Sequence, residues 1–358
     1  MKRRIVIVGS YPPPYGGISV HIQRACEEFS RDYEIEVLDF YQSVENPGRE
    51  SFVHYCGNQK PFNLLKALAF LGKKKAHLYH FHVSAMSNFV FAGYLLLLSL
   101  GRNVNKIITI HSGSFVSNYE RASFVKKALI KRLIEKFDHI INVNEEGMVL
   151  LKNVGIPEEK MSVVPAFLPP VLENSEQIAE TIRGLRQKVK KIFLVSGCAL
   201  SYYGFHLLLD SLDQYGEEKK DFGVVFAFYR TYDEQYVLEL ERRLKGHYNY
   251  AILNDLNPNQ FSFLISLVDI YVRPTDRDGD AVSLREAAFF GKQILASDCI
   301  KRPSDVLLFE TMNSDSLKKV LDVAIEDEEK GRAQFDYYEN MNRLSGIYKR
   351  MSFPEHGL

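Results

Sequence analysis

Residues 269–298, DIYVRPTDRDGDAVSLREAAFFGKQILASD, constrain the architecture more than any other stretch of this chain. An apolar run, Ile270-Tyr271-Val272, breaks at Arg273-Pro274-Thr275, and a small-residue loop, Asp278-Gly279-Asp280-Ala281, feeds a helical pattern carrying Glu286. Gly291 closes that pattern, and a second apolar run, Ile294-Leu295-Ala296, follows at once. Strand, loop, helix and strand in this order make half of a Rossmann-like sheet. The loop then lies at a strand's carboxyl end, where open α/β sheets bind ligands. Asp278 and Glu286 stand eight positions apart, one in the loop and one two turns into the helix, so both can face one bound molecule. Two carboxylates with free helix amides between them suit a ligand that offers hydroxyls to the acids and phosphate to the amides. Taken alone, the acid pair reads as an ordinary acidic loop and surface helix. Its place between two strands, with glycine and proline punctuation, points to a site.

The 358 residues suggest two domains, and 46% hydrophobic content supplies two cores. Cys26, Cys56, Cys198 and Cys299 are far apart and lack metal-site spacing, which fits a reduced setting. Met1-Lys2-Arg3-Arg4 runs straight into a strand without a signal peptide, so a cytoplasmic protein is expected. The most apolar stretch, Phe89–Leu100, is too short for the ~20 residues a membrane span needs and reads as a buried helix. The net charge of zero hides an asymmetry: residues 1–170 hold 21 Lys and Arg against 15 Asp and Glu, and the remainder holds 24 against 30. A basic first half suits anionic lipid or anionic substrates, with scattered solvated lysines as the alternative.

In the first half, RIVIVG (Arg4–Gly9) is a buried parallel strand, followed by a Pro/Gly loop ending in Gly16-Gly17 and a helix from Ile18 to Phe29. No Gly-x-Gly-x-x-Gly fingerprint is present. The glycine pair instead lets backbone approach a ligand at a helix N-terminus, or simply makes a turn. Further strands are expected at Ile35–Phe40, Leu78–Phe81, Lys106–Ile110, His139–Val143 and Met161–Val164. His80 and His82, with no acid or cysteine beside them, read as structural. His111 differs, because it ends a strand and is followed by the small residues Ser112-Gly113-Ser114. Glu120–Phe137 reads as an amphipathic helix with an apolar stripe of Phe124, Val125, Ala128, Leu129 and Leu133 between basic flanks. Such a helix packs on the sheet or lies on an anionic membrane surface. Three prolines in Val163–Pro170 end the first domain, residues 1–170, and residues 171–190 read as the interdomain linker. The second domain, 191–335, restarts at KIFLVSG (Lys191–Gly197), with strands near Gly223–Phe228, Ala251–Asn254, Asp269–Val272 and Gln293–Ala296. A helix in 336–358 ends the chain.

The Asp278-Gly279…Glu286 segment resembles the donor-site motif of the family 4 glycosyltransferases of GT-B fold, in a form similar to a bacterial capsule and exopolysaccharide branch. The resemblance implies two doubly wound Rossmann-like domains facing each other across a cleft, with the final helix crossing back to the first. It implies a nucleotide-sugar donor carrying UDP or GDP, a growing and lipid-linked glycan as acceptor, and no metal or other cofactor. On this reading His111 and Asp278 are catalytic, His111 pointing at the transferred sugar. Gly16, Gly17, Tyr203, Gly204, Arg230, Arg273, Gly279, Asp280, Ala281 and Glu286 hold the donor, with Glu286 on the ribose. Peripheral contact with the inner membrane face goes with a lipid-linked acceptor, and no nucleic-acid partner is expected. An alternation of Asp276, Asp278 and Asp280 leaves a bridging cation as the rival to metal-free chemistry.

One departure bears on activity. Where the family reads Gly-Arg-x-x-x-x-Lys-Gly after this strand, the chain has Cys198 and Tyr203, so both diphosphate-binding charges are missing. The helix N-terminus at Gly204-Phe205, the hydroxyls of Tyr202 and Tyr203, and the cations Arg230 and Arg273 are the available substitutes. The alternatives are a binding or scaffold protein that kept the shell and lost transfer, and another GT-B enzyme such as an epimerase or phosphorylase.

Overall fold

The computed structural model describes residues 2–13, 15–40, 50–57, 61–84, 86–100, 104–111, 115–170, 172–278, 281–302, 304–332 and 337–352, and within these it leaves out the side chains of residues 61, 62, 87 and 230–232. The chain divides into two compact units, Met1–Leu168 with Tyr337–Leu358, and Pro169–Asp336.

The first unit is built on seven strands: β1 (Arg3–Val8), β2 (Tyr33–Asp39), β3 (Val53–Tyr55), β4 (Leu78–Val83), β5 (Asn105–Ile110), β6 (His139–Asn142) and β7 (Met161–Val163). All pair in parallel, in the order β3-β2-β1-β4-β5-β6-β7. Ile5, Val6, Ile7 and Val8 are all fully buried, because helices cover both faces and a central parallel strand must be apolar on each. The final helix, Tyr337–Ser352, belongs to this unit: Leu344, Ile347 and Tyr348 pack with Ile5, Ile7 and Phe29 in one apolar cluster.

The second unit holds β8 (Lys191–Ala199), β9 (Phe222–Tyr232), β10 (Asn249–Asn254), β11 (Ile270–Arg273), β12 (Gln293–Ser297) and β13 (Leu307–Phe309), parallel in the order β10-β9-β8-β11-β12-β13. In each sheet the winding reverses once, between β1 and β4 and between β8 and β11, and the crevice at such a switch point opens at the strands' carboxyl ends. Two doubly wound α/β units are the fold class that the alternation of strand and helix patterns predicts.

Three features differ from the sequence reading. The segment read as a linker contains the helix Glu176–Arg186, whose Ile178, Ile182 and Leu185 are buried, and it belongs to the second unit. The helix expected over Glu120–Phe137 is present but shorter, Phe124–Ile134, and Glu120 instead ends a separate helix, Phe115–Glu120. The break falls at Ser123, whose hydroxyl accepts from the Lys126 amide and so starts a new helix. The apolar stripe assigned to that helix is also split. Leu133 is buried with Ile130 and Ile134, while Phe124, Val125 and Leu129 face outward. The four cysteines carry free thiols, and no helix among the described residues is long and apolar enough to cross a membrane.

Candidate functional site

In the second unit, the loops leaving β8 and β11 meet at the switch point. The β8 strand ends in a tight turn, Ser201–Tyr203, and Gly204 starts the helix Phe205–Asp213 with no side-chain cap. Gly204 has φ +73°, and a Cβ there would meet the Pro274 carbonyl oxygen, so only glycine lets this helix start so close to the β11 loop. The Tyr203 ring lies directly over Gly197, leaving no room for a Cβ at that position either. The Arg273 guanidinium lies over the Tyr203 ring at 5.3 Å, and the Asp276 amide donates to the Tyr202 carbonyl at 3.0 Å.

Below these loops lies a buried ion network. Arg273 donates to Asp278 through Nε (3.0 Å) and Nη2 (2.9 Å), and to the Ser196 carbonyl through Nη1 (3.2 Å). Arg302, which the sequence reading did not single out, donates to the same carboxylate through Nη1 at 2.8 Å and to the Ser297 carbonyl through Nε at 3.0 Å. The side chains of Arg302 and Asp278 are 1% and 6% exposed. Burial pushes the Asp278 carboxyl up, but hydrogen bonds and charge from Arg273 and then Arg302 outweigh it and hold it below the usual carboxylate range. Two guanidiniums against one carboxylate leave this trio with an excess positive charge. The network joins the carboxyl ends of β8, β11 and β12 and fixes the first residues of the Asp278 loop.

Tyr271 continues the polar core, its hydroxyl linking Ser196 (2.7 Å) to Ser283 (2.8 Å) at the start of the helix Val282–Phe289. Ala281 is the N-cap of that helix, with no side-chain cap bond. Glu286 lies on its buried side, 4% exposed, and accepts from the Ser262 hydroxyl at 2.9 Å. Tyr203, Gly204, Arg273 and Asp278 are therefore brought together, and Ala281 and Glu286 sit on the helix that follows. Gly279 and Asp280, together with the Arg230 side chain, lie outside the described residues.

In the first unit, Gly16 caps the helix Gly17–Phe29 in extended conformation (φ −167°), which any residue adopts, and its amide donates to the Ser19 hydroxyl at 2.9 Å. Gly9 is the more constrained glycine: a Cβ there would strike Ile22 of the helix passing over it. His111 follows β5 and turns toward its neighbours, its Nε2 sharing a proton with His82 Nδ1 at 2.9 Å. His21, on the helix after the glycine loop, lies 5.2 Å from His111 and 5.4 Å from His82 between ring centroids. Its Nδ1 donates to the Ala166 carbonyl at 2.6 Å, leaving Nε2 as the acceptor. Burial, followed by the charges of His21 and His80, keeps His111 well below its ordinary value, so it is neutral at pH 7. The loop 112–114 lies outside the described residues. His80 is structural, engaged by the Tyr348 and Thr109 hydroxyls. One ring nitrogen from each of His21, His82 and His111 lies within 4.8 Å of the others. Three neutral imidazoles are a donor set for a zinc-like ion rather than magnesium. Of the rival carboxylates, Asp278 is taken up by Arg273 and Arg302, and Asp276 pairs with Arg277 at 2.9 Å.

Comparison with known proteins bears on the fold and the class of the chain. Residues 15–170 match the family model described as Glycosyltransferase Family 4. An N,N'-diacetylbacillosaminyl-diphospho-undecaprenol α-1,3-N-acetylgalactosaminyltransferase from Campylobacter jejuni is 28% identical over 218 residues, a match spanning 57% of this chain and 56% of that protein. Among solved structures, HepE from Anabaena in complex with UDP superposes with a TM-score of 0.66 at 13% identity, covering 98% of this chain and 100% of that one. Sucrose-phosphate synthase from Thermosynechococcus elongatus superposes at 0.67 with 13% identity, covering 98% and 99%. Residues 15–170 thus resemble glycosyltransferase family 4, and the architecture of the chain is the GT-B fold of the solved structures it superposes on.

Proposed function

We propose that this protein is a retaining glycosyltransferase that moves a sugar from a UDP- or GDP-sugar to a growing, lipid-linked glycan in bacterial surface polysaccharide assembly. The observation that carries the donor site is the Arg273–Asp278–Arg302 network at the β8/β11 switch point, beside the uncapped start of the helix Phe205–Asp213. In transfer, the sugar C1–O bond to the diphosphate breaks and a C1–O bond to an acceptor hydroxyl forms on the same face. The hydroxyl proton passes to the departing phosphate oxygen. Negative charge grows on that oxygen, and fixed positive charge and helix amides stabilise it without reorganisation. The excess charge of the Arg273–Arg302 pair and the amides at Gly204 stand in for the arginine and lysine replaced by Cys198 and Tyr203. Glu286 receives the ribose hydroxyls, and His111, neutral and fixed by His82, orients the sugar. The Campylobacter relative, whose name includes diphospho-undecaprenol, supports a lipid-linked acceptor, and that acceptor in turn supports contact with the inner membrane face.

The chemistry on this reading needs no metal. Turnover of a panel of UDP- and GDP-sugars with a lipid-linked acceptor, with and without EDTA, tests it. Transfer that survives chelation with retained anomeric configuration is expected, and loss on chelation restored by magnesium or manganese overturns the metal-free chemistry. The second reading, a binding protein without transfer, is favoured by Cys198 and Tyr203 and by the engagement of Arg273 with Asp278. Nucleotide-sugar binding without turnover on any acceptor selects it.

A further inference from the structure

The helix Phe124–Ile134 has two apolar sides, and among the described residues only one is used by the fold. Ile130, Leu133 and Ile134 are buried, whereas Phe124 and Val125 are 85% and 66% exposed. The helix adjoins Met86–Leu98: a Cβ on Gly93 would press on Leu133, and the Tyr94 hydroxyl donates to the Leu129 carbonyl at 3.1 Å. That second helix also turns large apolar groups outward, Phe91 at 74% and Leu98 at 80% exposure. Between the two helices runs an open groove of about 650 Å³, lined by Tyr94, Leu129, Arg132, Glu135 and Lys136. Lys126 and Lys127 share the first turn of the helix with Phe124 and Val125, Lys127 lying over the Tyr119 ring at 5.9 Å, and Lys136 lies over the Tyr94 ring at 5.9 Å.

Exposed aromatic and aliphatic groups interleaved with lysine and arginine match the interface of an anionic bilayer, where apolar side chains enter the acyl boundary and cations stay with the phosphates. We propose that this two-helix face is the surface by which the protein docks on an anionic phospholipid membrane, with Phe124, Val125 and Leu129 inserted. Arg132 and Lys136 then bind headgroup phosphate at the groove. Charge complementarity selects this occupant: Lys126, Lys127, Lys131 and Arg132 lie on the helix, and Glu135, the acid in the groove just beyond its end, offsets Lys131 at 3.8 Å. The inference rests on the lipid-linked acceptor proposed above and adds the residues that make the contact.

The test is sedimentation of the full-length protein with vesicles of phosphatidylglycerol and phosphatidylcholine, against vesicles of phosphatidylcholine alone. Binding to the anionic vesicles that weakens with added salt is expected. Lys126→Gln with Lys127→Gln should lower the partition coefficient by about 30-fold, since each surface cation contributes roughly five-fold near an anionic leaflet. Phe124→Ser should lower it by roughly tenfold or more. These variants should keep the wild-type melting temperature and the wild-type affinity for UDP or GDP in solution. Equal binding by wild type and variants overturns the proposal, as does no binding to anionic vesicles. A concentration-dependent dimer that Phe124→Ser abolishes also overturns it, because a second copy then covers the face. Nucleotide affinity in solution is read independently, so failure of membrane docking is distinguishable from failure of the donor-site reading.

Discussion

Asp278 accepts three hydrogen bonds from two buried arginines, and its carboxylate is the only negative charge in that trio. Replacing it by asparagine leaves two guanidiniums without their counter-charge in a dry site, which costs about 3–5 kcal/mol for a buried pair broken on one side. Asp278→Asn should therefore lower the unfolding free energy by that order in urea titration, and an unchanged midpoint would show that the network is not part of the folded state's stability. The same variant should also cut turnover further than it cuts affinity for the bare nucleotide. The acidic loop was legible because proline and glycine punctuate it between two apolar runs. Arg302 was not: it follows β12 in a segment with no periodicity, and only the path of the chain brings it to Asp278. His21 was hidden in the same way, because nothing in the helical pattern separates it from the other buried polar residues of that helix, Ser19 and Arg24.

The long, fully buried strands at the middle of each sheet could be read directly, since short apolar runs closed by glycine, such as Arg4–Gly9 or Lys191–Gly197, have the length of a covered parallel strand rather than of a helix. The edge strands β3 and β13 could not, because each has three residues and is only partly buried, so no apolar run marks it. The split of Glu120–Phe137 was obscured by a different cause. Its outward apolar residues continue the helical period, and periodicity does not say which of two apolar sides faces inward. At this scale the decisive junction is Gly204, where the helix after β8 meets the loop after β11. Gly204→Ala combines a left-handed φ with a Cβ against the Pro274 carbonyl, so it should lower stability by more than the ~1 kcal/mol of a left-handed backbone alone. It should also weaken nucleotide binding by shifting the helix amides. Wild-type affinity and stability in calorimetry and denaturant titration would contradict that account of the junction.

Across the whole molecule, buried histidines couple folding to pH. Burial holds His21 at about 4 in the folded chain, and His139 likewise at about 4, against ~6.5 when unfolded; His80, His82 and His111 shift in the same direction. Between those values the unfolded chain binds protons that the folded chain does not. The stability they contribute is complete above pH ~6.5 and is lost as pH falls toward 4, with His21 alone accounting for up to about 3 kcal/mol. Denaturant titrations at pH 7.5 and 5 should show the unfolding free energy falling by several kcal/mol, and a flat profile would mean that the histidines are not buried neutral. The central claim, that the second unit's switch point binds a nucleotide sugar, is tested most directly by calorimetric titration of UDP and GDP into wild type and Glu286→Ala. A carboxylate accepting ribose hydroxyls makes charge-assisted bonds of ~1.5–3 kcal/mol. The variant should therefore keep its fold and bind the preferred nucleotide at least tenfold more weakly, whereas equal affinity in the two proteins would contradict the account.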